Sequence, residues 1–336
     1  MGQVTGSPVS GPVGGPAAGA PTPEGHTGLL ALTNASAGTA DDQAVQAALA
    51  VLRDGADVEV VATEGPRDCA AALHRLDGRR PVVFGGDGSM HIVAQVLHES
   101  SQLDRTAVGL VPLGTGNDLA RTTGIPLDPV DAAHVVLDGD ERAMELLVDD
   151  AGGVVVNAVH LGAGAEAARA AQAWKPRVGK AAYAVGALST GVRHPGWRVW
   201  VQADGKELAD PRRRVLMVGL GVGRSIGGGA ELAPHASPTD GLVDVIVSES
   251  TGPLARLGYA VRLRGGRHVQ RPDVRTTRAR EVAVQGEPFY CNADGEVVGP
   301  LRARTWTVQP AAWRLIVPRT SPSTADRSVT TSGGSA

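Results

Sequence analysis

Two short apolar runs, each leading through glycines into a helical pattern, constrain the fold of this chain more than any other feature. The first is Pro81-Val-Val-Phe84, continuing into Gly85-Gly-Asp-Gly-Ser-Met90. The second is Val108-Gly-Leu-Val-Pro-Leu113, continuing into Gly114-Thr-Gly-Asn-Asp118. Runs without a polar position suit strands covered on both faces. Behind the first loop, Met90, Val93, Ala94 and Leu97 recur at helical spacing, which predicts an amphipathic helix. Upstream, Gly28-Leu-Leu-Ala-Leu-Thr33 and Asp57-Val-Glu-Val-Val-Ala62 read as further strands. Each precedes a helical pattern, one with Val45, Ala48, Leu49 and Leu52, the other after Pro66 with Ala70, Leu73 and Leu76. This alternation predicts an α/β N-terminal domain with an open, mostly parallel sheet over residues 28–143.

From Met144 the rhythm changes to short β-rich pieces punctuated by Asp204-Gly205, Asp240-Gly241 and Asp294-Gly295. Helices are expected around 165–192 and 253–265. The expectation for 144–318 is a β-rich, sandwich-like C-terminal domain whose last strand returns to the first domain. Residues 1–27 and 319–336 hold almost no large apolar side chains and read as disordered tails. A chain of 336 residues accommodates two domains.

Two cysteines, Cys69 and Cys291, provide neither a disulfide framework nor a thiolate zinc site. No apolar run is long enough to span a bilayer, and the N-terminus does not resemble a signal peptide. The expected location is cytoplasmic, with peripheral contact to the inner membrane face. A net charge of −3 gives no electrostatic default toward nucleic acid. The histidines lack metal-ligand spacing, and the five tryptophans read as core or edge packing.

The glycine loops carry the chemistry. Glycines let a backbone turn sharply and approach a ligand closely, and a helix behind the turn offers free N–H groups to a phosphate. Ser89 and Thr115 would add hydroxyls. Each loop also has a plainer reading, as a tight turn with Asp87 in an Asx role or with Asn117 or Asp118 as an N-cap. Later, Asn292-Ala-Asp-Gly-Glu296 places two carboxylates, Asp294 and Glu296, where a strand would send both to one face. A hydroxyl acceptor needs such a base; two solvated acids at a hairpin are the alternative. In the stretch from Gly227 to Asp244, Asp240 opens a strand among backbone carbonyls, a normal way to hold Mg²⁺ and equally an ordinary Asp-Gly turn.

In this order the four elements resemble the diacylglycerol kinase catalytic family, which includes bacterial lipid kinases and sphingosine kinases. The likeness spans roughly residues 28–318. It implies ATP binding by Gly85, Gly86, Asp87, Gly88, Ser89, Met90 and His91, and by Gly114, Thr115, Gly116 and Asn117. Asn34, Gly38 and Thr63 would line the same cleft. It implies Glu296 as the catalytic base within the Asp294-Gly-Glu296 segment. It also implies a Mg²⁺ held by Asp240 with the carbonyls of Ser237 and Leu242. This chain has Ser89 where the family commonly has Thr, His91-Ile92 where it has Asn-Glu, and Glu145 where Asp is usual.

The implied activity is ATP-dependent transfer of a phosphoryl group to a lipid hydroxyl, on diacylglycerol or a related lipid. An NAD kinase-like small-molecule kinase shares the Gly-Gly-Asp-Gly loop, and a catalytically silent lipid- or nucleotide-binding regulator is the third reading. Arginines from Arg256 to Arg280 form a basic stretch suited either to an anionic membrane or to ordinary solvation. Oligomeric state stays open, a homo-oligomer included.

Overall fold

Alternate side chains of the first parallel strands go to opposite faces, and each face has its own helices. The computed structural model describes residues 28–34, 39–166, 168–169 and 195–319. Strands β1 (Leu29–Asn34), β2 (Val58–Thr63), β3 (Arg80–Gly85) and β4 (Ala107–Pro112) pair in parallel in the order β4-β3-β1-β2. Leu29 and Ala31 of β1 with Val82 and Phe84 of β3 pack on one face. There they meet α1 (Thr39–Gly55) and α5 (Pro129–Asp138), through Leu49, Leu52, Ala133 and Val136. Leu30, Leu32 and Val83 point the other way, against α2 (Pro66–Leu73) and α3 (Asp87–Glu99). There Met90, Val93, Ala94 and Leu97 form the buried stripe of α3, as their spacing predicts. The short α4 (Asp118–Thr123) follows the second glycine loop.

The second half is β-rich, in agreement with the sequence. Strand β5 (Asp140–Asp149) leads to β6 (Val154–Val155) and β7 (Ala158–Gly162). After the hairpin β8 (Val199–Ala203) and β9 (Lys206–Ala209) come β10 (Met217–Gly221), β11 (Val243–Ser248), helix α6 (Pro253–Leu263) and β12 (Val274–Ala279). The long strands β13 (Glu281–Ala293) and β14 (Glu296–Val317) close the fold. The first part of β13 pairs with β8, whereas Cys291–Ala293 pair with β7, with register shifts between. Gly286 lies near the bend at φ +154°, where an added side-chain carbon would sit 2.3 Å from the Arg198 carbonyl oxygen. One strand thereby serves two layers of a sandwich. Its core holds Val201, Leu220, Val245, Val284, Phe289 and Trp306.

Strand β14 crosses the molecule. It pairs with β13 near the Asp294-Gly295 turn and with β5 further on. At Arg314 and Leu315 it lies parallel to Ala107 and Val108 of β4, adding a strand to the first domain's sheet. Trp313 is buried at that junction, and its Nε1 donates to the Glu145 carbonyl at 3.0 Å. Trp200 is the exposed exception among the described tryptophans, its Nε1 donating to Glu207 at 2.7 Å. Cys69 and Cys291 are free and buried, and burial pushes both thiols up to about 11, away from thiolate chemistry. The expected tails apart from Arg319, most of the helix expected at 165–192, Trp174 and Gly38 lie outside the described residues. No helix among the described residues is long and apolar enough to cross a membrane.

Candidate active site

The two glycine loops touch backbone to backbone. A side-chain carbon added at Gly86 would lie 2.8 Å from Cα of Gly114, and one added at Gly114 would lie 2.6 Å from Cα of Gly86. Only glycine fits either place. Leu113 N–H donates to the Gly85 carbonyl at 3.0 Å, and Asn117 Nδ2 donates to the Gly114 carbonyl at 2.8 Å. Helix α3 starts at this junction with no side chain capping it. Its leading N–H groups and positive dipole end are left for a ligand. Gly88 and Ser89 belong to that first turn, and Thr115 is exposed at the tip of the second loop. Met90 is different: its side chain is fully buried and its N–H donates to the Gly86 carbonyl at 3.1 Å.

Asp87 faces the neighbouring loop. Its carboxylate accepts from Asp118 N–H at 3.1 Å and Leu119 N–H at 3.0 Å, so it caps α4 across the two loops. Burial raises its pKa despite these bonds, and the charges of Asp118 and Asp294 add to the rise. Gly116 must lack a side chain here, since an added carbon would approach Asp87 Oδ2 to 2.8 Å. Asp118 passes the connection on. It accepts from Ser225 Oγ at 2.8 Å and from the N–H groups of Gly228 and Gly229, each at 2.9 Å.

Asp294 occupies the turn between β13 and β14 at φ +48°, not a strand position, so it does not share a strand face with Glu296. The two-residue Asp-Gly turn requires that left-handed backbone. Its carboxylate accepts from the N–H groups of Val156, Asn157 and Ala158 at 2.7, 3.0 and 3.0 Å. His91 Nδ1, from the first turn of α3, stands 3.2 Å from the same carboxylate. Asn157 Nδ2 donates to the Ser225 carbonyl at 2.8 Å. These contacts close a ring from His91 through Asp294, Asn157, Ser225, Asp118 and Asp87 back to α3. The ring crosses between the domains twice. His91 therefore ties α3 to the second domain. Burial opposes its imidazolium, but the hydrogen bond to Asp294 and the charges of Asp294 and Glu296 outweigh that and raise its pKa. Glu296, first in β14, is exposed and accepts no hydrogen bond among the described residues.

Beside the loops, an open cleft is lined by Asn34, Thr63, Ser89 and also Glu64. Asn34 and Thr63 end adjacent parallel strands, where α/β sheets bind ligands. The sequence reading missed Glu64, and it missed the tie between Asp118 and the 225–229 loop. The consecutive Gly227, Gly228 and Gly229, all with positive φ, were the available signal for that loop.

In the Asp240 segment the polar side chains pair locally. Asp240 Oδ1 accepts from Leu242 N–H at 3.1 Å, and Oδ2 is bonded by the Arg278 guanidinium. Ser237 Oγ engages Thr239 Oγ1 at 3.2 Å. Among the described residues, no three His, Cys, Asp or Glu side chains gather closely enough to hold a metal. The charge facing Asp240 here is the Arg278 guanidinium, which a Mg²⁺ on Asp240 and the carbonyls of Ser237 and Leu242 would have to displace. Nearby Glu145 accepts from Gly241 N–H, and burial, aided by Asp240 and Asp244, pushes its pKa up to about 7 against the opposing Gly241 and Arg278.

An acid whose folded pKa rises from 4.5 to about 7 binds more protons folded than unfolded in that window. Stability from this group is therefore present below the lower value and lost as pH rises to the upper one. Glu145→Gln is expected to gain thermal stability over the parent as pH increases across that window. Melting curves at several pH values check this, and a constant difference between the two proteins would refute it.

An α/β lobe and a β sandwich meeting at paired glycine loops and an acidic hairpin define a two-domain architecture, and sequence profiles divide the chain the same way. The diacylglycerol kinase catalytic domain profile matches residues 28–148, and the YegS C-terminal NAD kinase beta sandwich-like domain profile matches 157–317. The chain is 31% identical over 310 residues to a diacylglycerol kinase of Mycobacterium tuberculosis (strain ATCC 25618 / H37Rv), covering 87% of this chain and 95% of that one. It is 33% identical over 291 residues to a "Probable lipid kinase YegS-like" of Xanthomonas campestris pv. campestris (strain 8004), covering 82% and 91%. The crystal structure of a diacylglycerol kinase from Bacillus anthracis str. Sterne has the same fold, with a TM-score of 0.67 at 21% identity over 88% of this chain and 98% of that one. The chain belongs to the diacylglycerol kinase family.

Proposed function

We propose that the chain is an ATP-dependent lipid kinase that moves the γ-phosphoryl group to a lipid hydroxyl, with diacylglycerol or a related lipid as acceptor. The observation that carries this reading is the division of labour in the Asp294-Gly295-Glu296 hairpin. Asp294 is held by three backbone N–H groups, while its neighbour Glu296 stays exposed beside His91 of the glycine-loop helix.

Phosphoryl transfer depends mainly on positioning and charge neutralisation. The uncapped start of α3 and the Gly85–Gly88 turn would hold the nucleotide phosphates, with Ser89 and Thr115 adding hydroxyls. Asn34 and Thr63 would border the rest of the nucleotide. Mg²⁺ enters with ATP as part of the substrate and offsets phosphate charge. Glu296 would take the proton from the acceptor hydroxyl, and the hydrogen-bonded ring would keep it in register with the loops.

The test is incubation with γ-labelled ATP and Mg²⁺ over a panel of diacylglycerol, ceramide, a sphingoid base, a terpenoid alcohol and NAD. Label extracted into organic solvent with at least one lipid acceptor is expected. Label appearing only in aqueous product with NAD would replace this reading by a small-molecule kinase. Nucleotide binding without transfer to any acceptor would replace it by a silent regulator.

A further inference from the structure

Helix α6 has two apolar faces, and only one of them is used by the fold. Tyr259 is buried in a cluster with Leu232, Ala233 and Ile246, with Leu263 packed against it. The Tyr259 ring meets His268 edge-on at 5.2 Å. On the opposite side, Leu254, Leu257 and Val261 are 86%, 62% and 68% exposed, the three most exposed large apolar side chains among the described residues. At about 100° per residue these three fall within roughly 60° of one another, forming a single stripe. The other exposed large apolar residues, Val60, Leu127, Trp200 and Val298, are 38–44% exposed and scattered in sequence. Single exposed residues are ordinary, but a stripe opposite an anchored face has a partner.

The charge pattern identifies that partner. Between Glu249 and Asp273 the chain carries Arg256, Arg262, Arg264, Arg267 and Arg271 and no acidic residue. On the helix, Arg262 and Arg264 lie about 80° to either side of Leu254, so they flank the stripe on both edges. Arg262, Arg264 and Arg267 are exposed. Further along, Arg271 forms a two-bond pair with Asp273, Arg275 pairs with Glu249, and Arg278 pairs with Asp240. Of the exposed arginines in the 256–280 stretch without a carboxylate partner among the described residues, Arg262, Arg264 and Arg267 lie on or just after α6, and Arg280 lies beyond β12. An apolar stripe bordered by arginines on an otherwise anionic protein is the pattern of a helix lying in an anionic lipid interface, with its cations reaching back to the headgroups.

We propose that α6 docks this protein on an anionic bilayer, with Leu254, Leu257 and Val261 in the headgroup–acyl boundary and Arg262 and Arg264 on lipid phosphates. This deepens the lipid-kinase reading and rests on it for the choice of a membrane as partner. The site residues are untouched by it, because none of them lies on α6.

The experiment is co-sedimentation of the full chain with vesicles of phosphatidylcholine alone and of phosphatidylcholine mixed with phosphatidylglycerol. The parent is expected to sediment with the mixed vesicles and not with the neutral ones. The double variants Leu257→Asp/Val261→Asp and Arg262→Gln/Arg264→Gln are each expected to bind at least roughly tenfold more weakly. Both are expected to keep the parent's turnover of a short-chain, detergent-dispersed lipid acceptor. Parent-like sedimentation of both variants overturns the proposal. So does a parent that elutes as a dimer and becomes monomeric on Leu257→Asp/Val261→Asp, which gives the stripe to a second copy. If vesicle binding follows the prediction while no lipid acceptor is phosphorylated by any form, docking stands and the kinase reading fails.

Discussion

Glu296→Gln is expected to reduce lipid phosphorylation by about 10²–10⁴-fold while leaving nucleotide affinity and melting temperature close to the parent's. The side chain is exposed and bonded to nothing among the described residues, so the amide changes no packing. On the proposed mechanism it would remove the acceptor for the hydroxyl proton. Single-turnover transfer and nucleotide titration on the same preparation check this. Loss of nucleotide affinity in step with activity would show that Glu296 serves the fold or the nucleotide instead.

Two residues away, Asp294→Ala is expected to have the opposite signature. Three backbone N–H groups and His91 converge on that carboxylate, and its side chain is fully inaccessible. Each buried donor left without a partner costs about 1–3 kcal/mol, so roughly 4 kcal/mol or more of stability is expected to disappear. Denaturant unfolding measures it directly. Asn does not rescue the site, because an amide brings donors to a place that already holds several and offers one acceptor oxygen where two are used. A variant as stable as the parent would mean that the ring through Asp294 does not hold the domains together. Side by side, the two substitutions are expected to separate neighbouring acids into a chemical and a structural role.

The hold of three backbone N–H groups on Asp294 was not legible in the sequence. The α/β and β-rich halves were, because helical periodicity at Met90–Leu97 and unbroken apolar strands report burial directly. The glycine loops were visible too, since they sit between such elements. Their contact was not: the 2.6 Å and 2.8 Å approaches between Gly86 and Gly114 depend on the register of β3 against β4. Asp118 reaches Gly228 across 110 positions, and Arg278 reaches Asp240 across 38, and no local pattern announces either pair. Of the two readings the sequence offers for Asp294, a strand position or a hairpin turn, the structure has the turn, with a left-handed backbone at that residue. Long-range polar pairing of this kind is fixed by tertiary geometry and leaves little trace in composition or spacing.

The route of β14 has a bearing on how the protein comes into being. The backbone edge of β4 at Ala107 and Val108 waits for Arg314 and Leu315, synthesised about two hundred positions later. A nascent chain that has emerged through the glycine loops therefore presents an unsatisfied strand edge for most of translation. Such an edge is a template for pairing with other chains. Fragments cut before residue 314, although they contain every glycine-loop residue, are thus expected to be prone to self-association, and the N-terminal lobe reaches its final form only when the sandwich does.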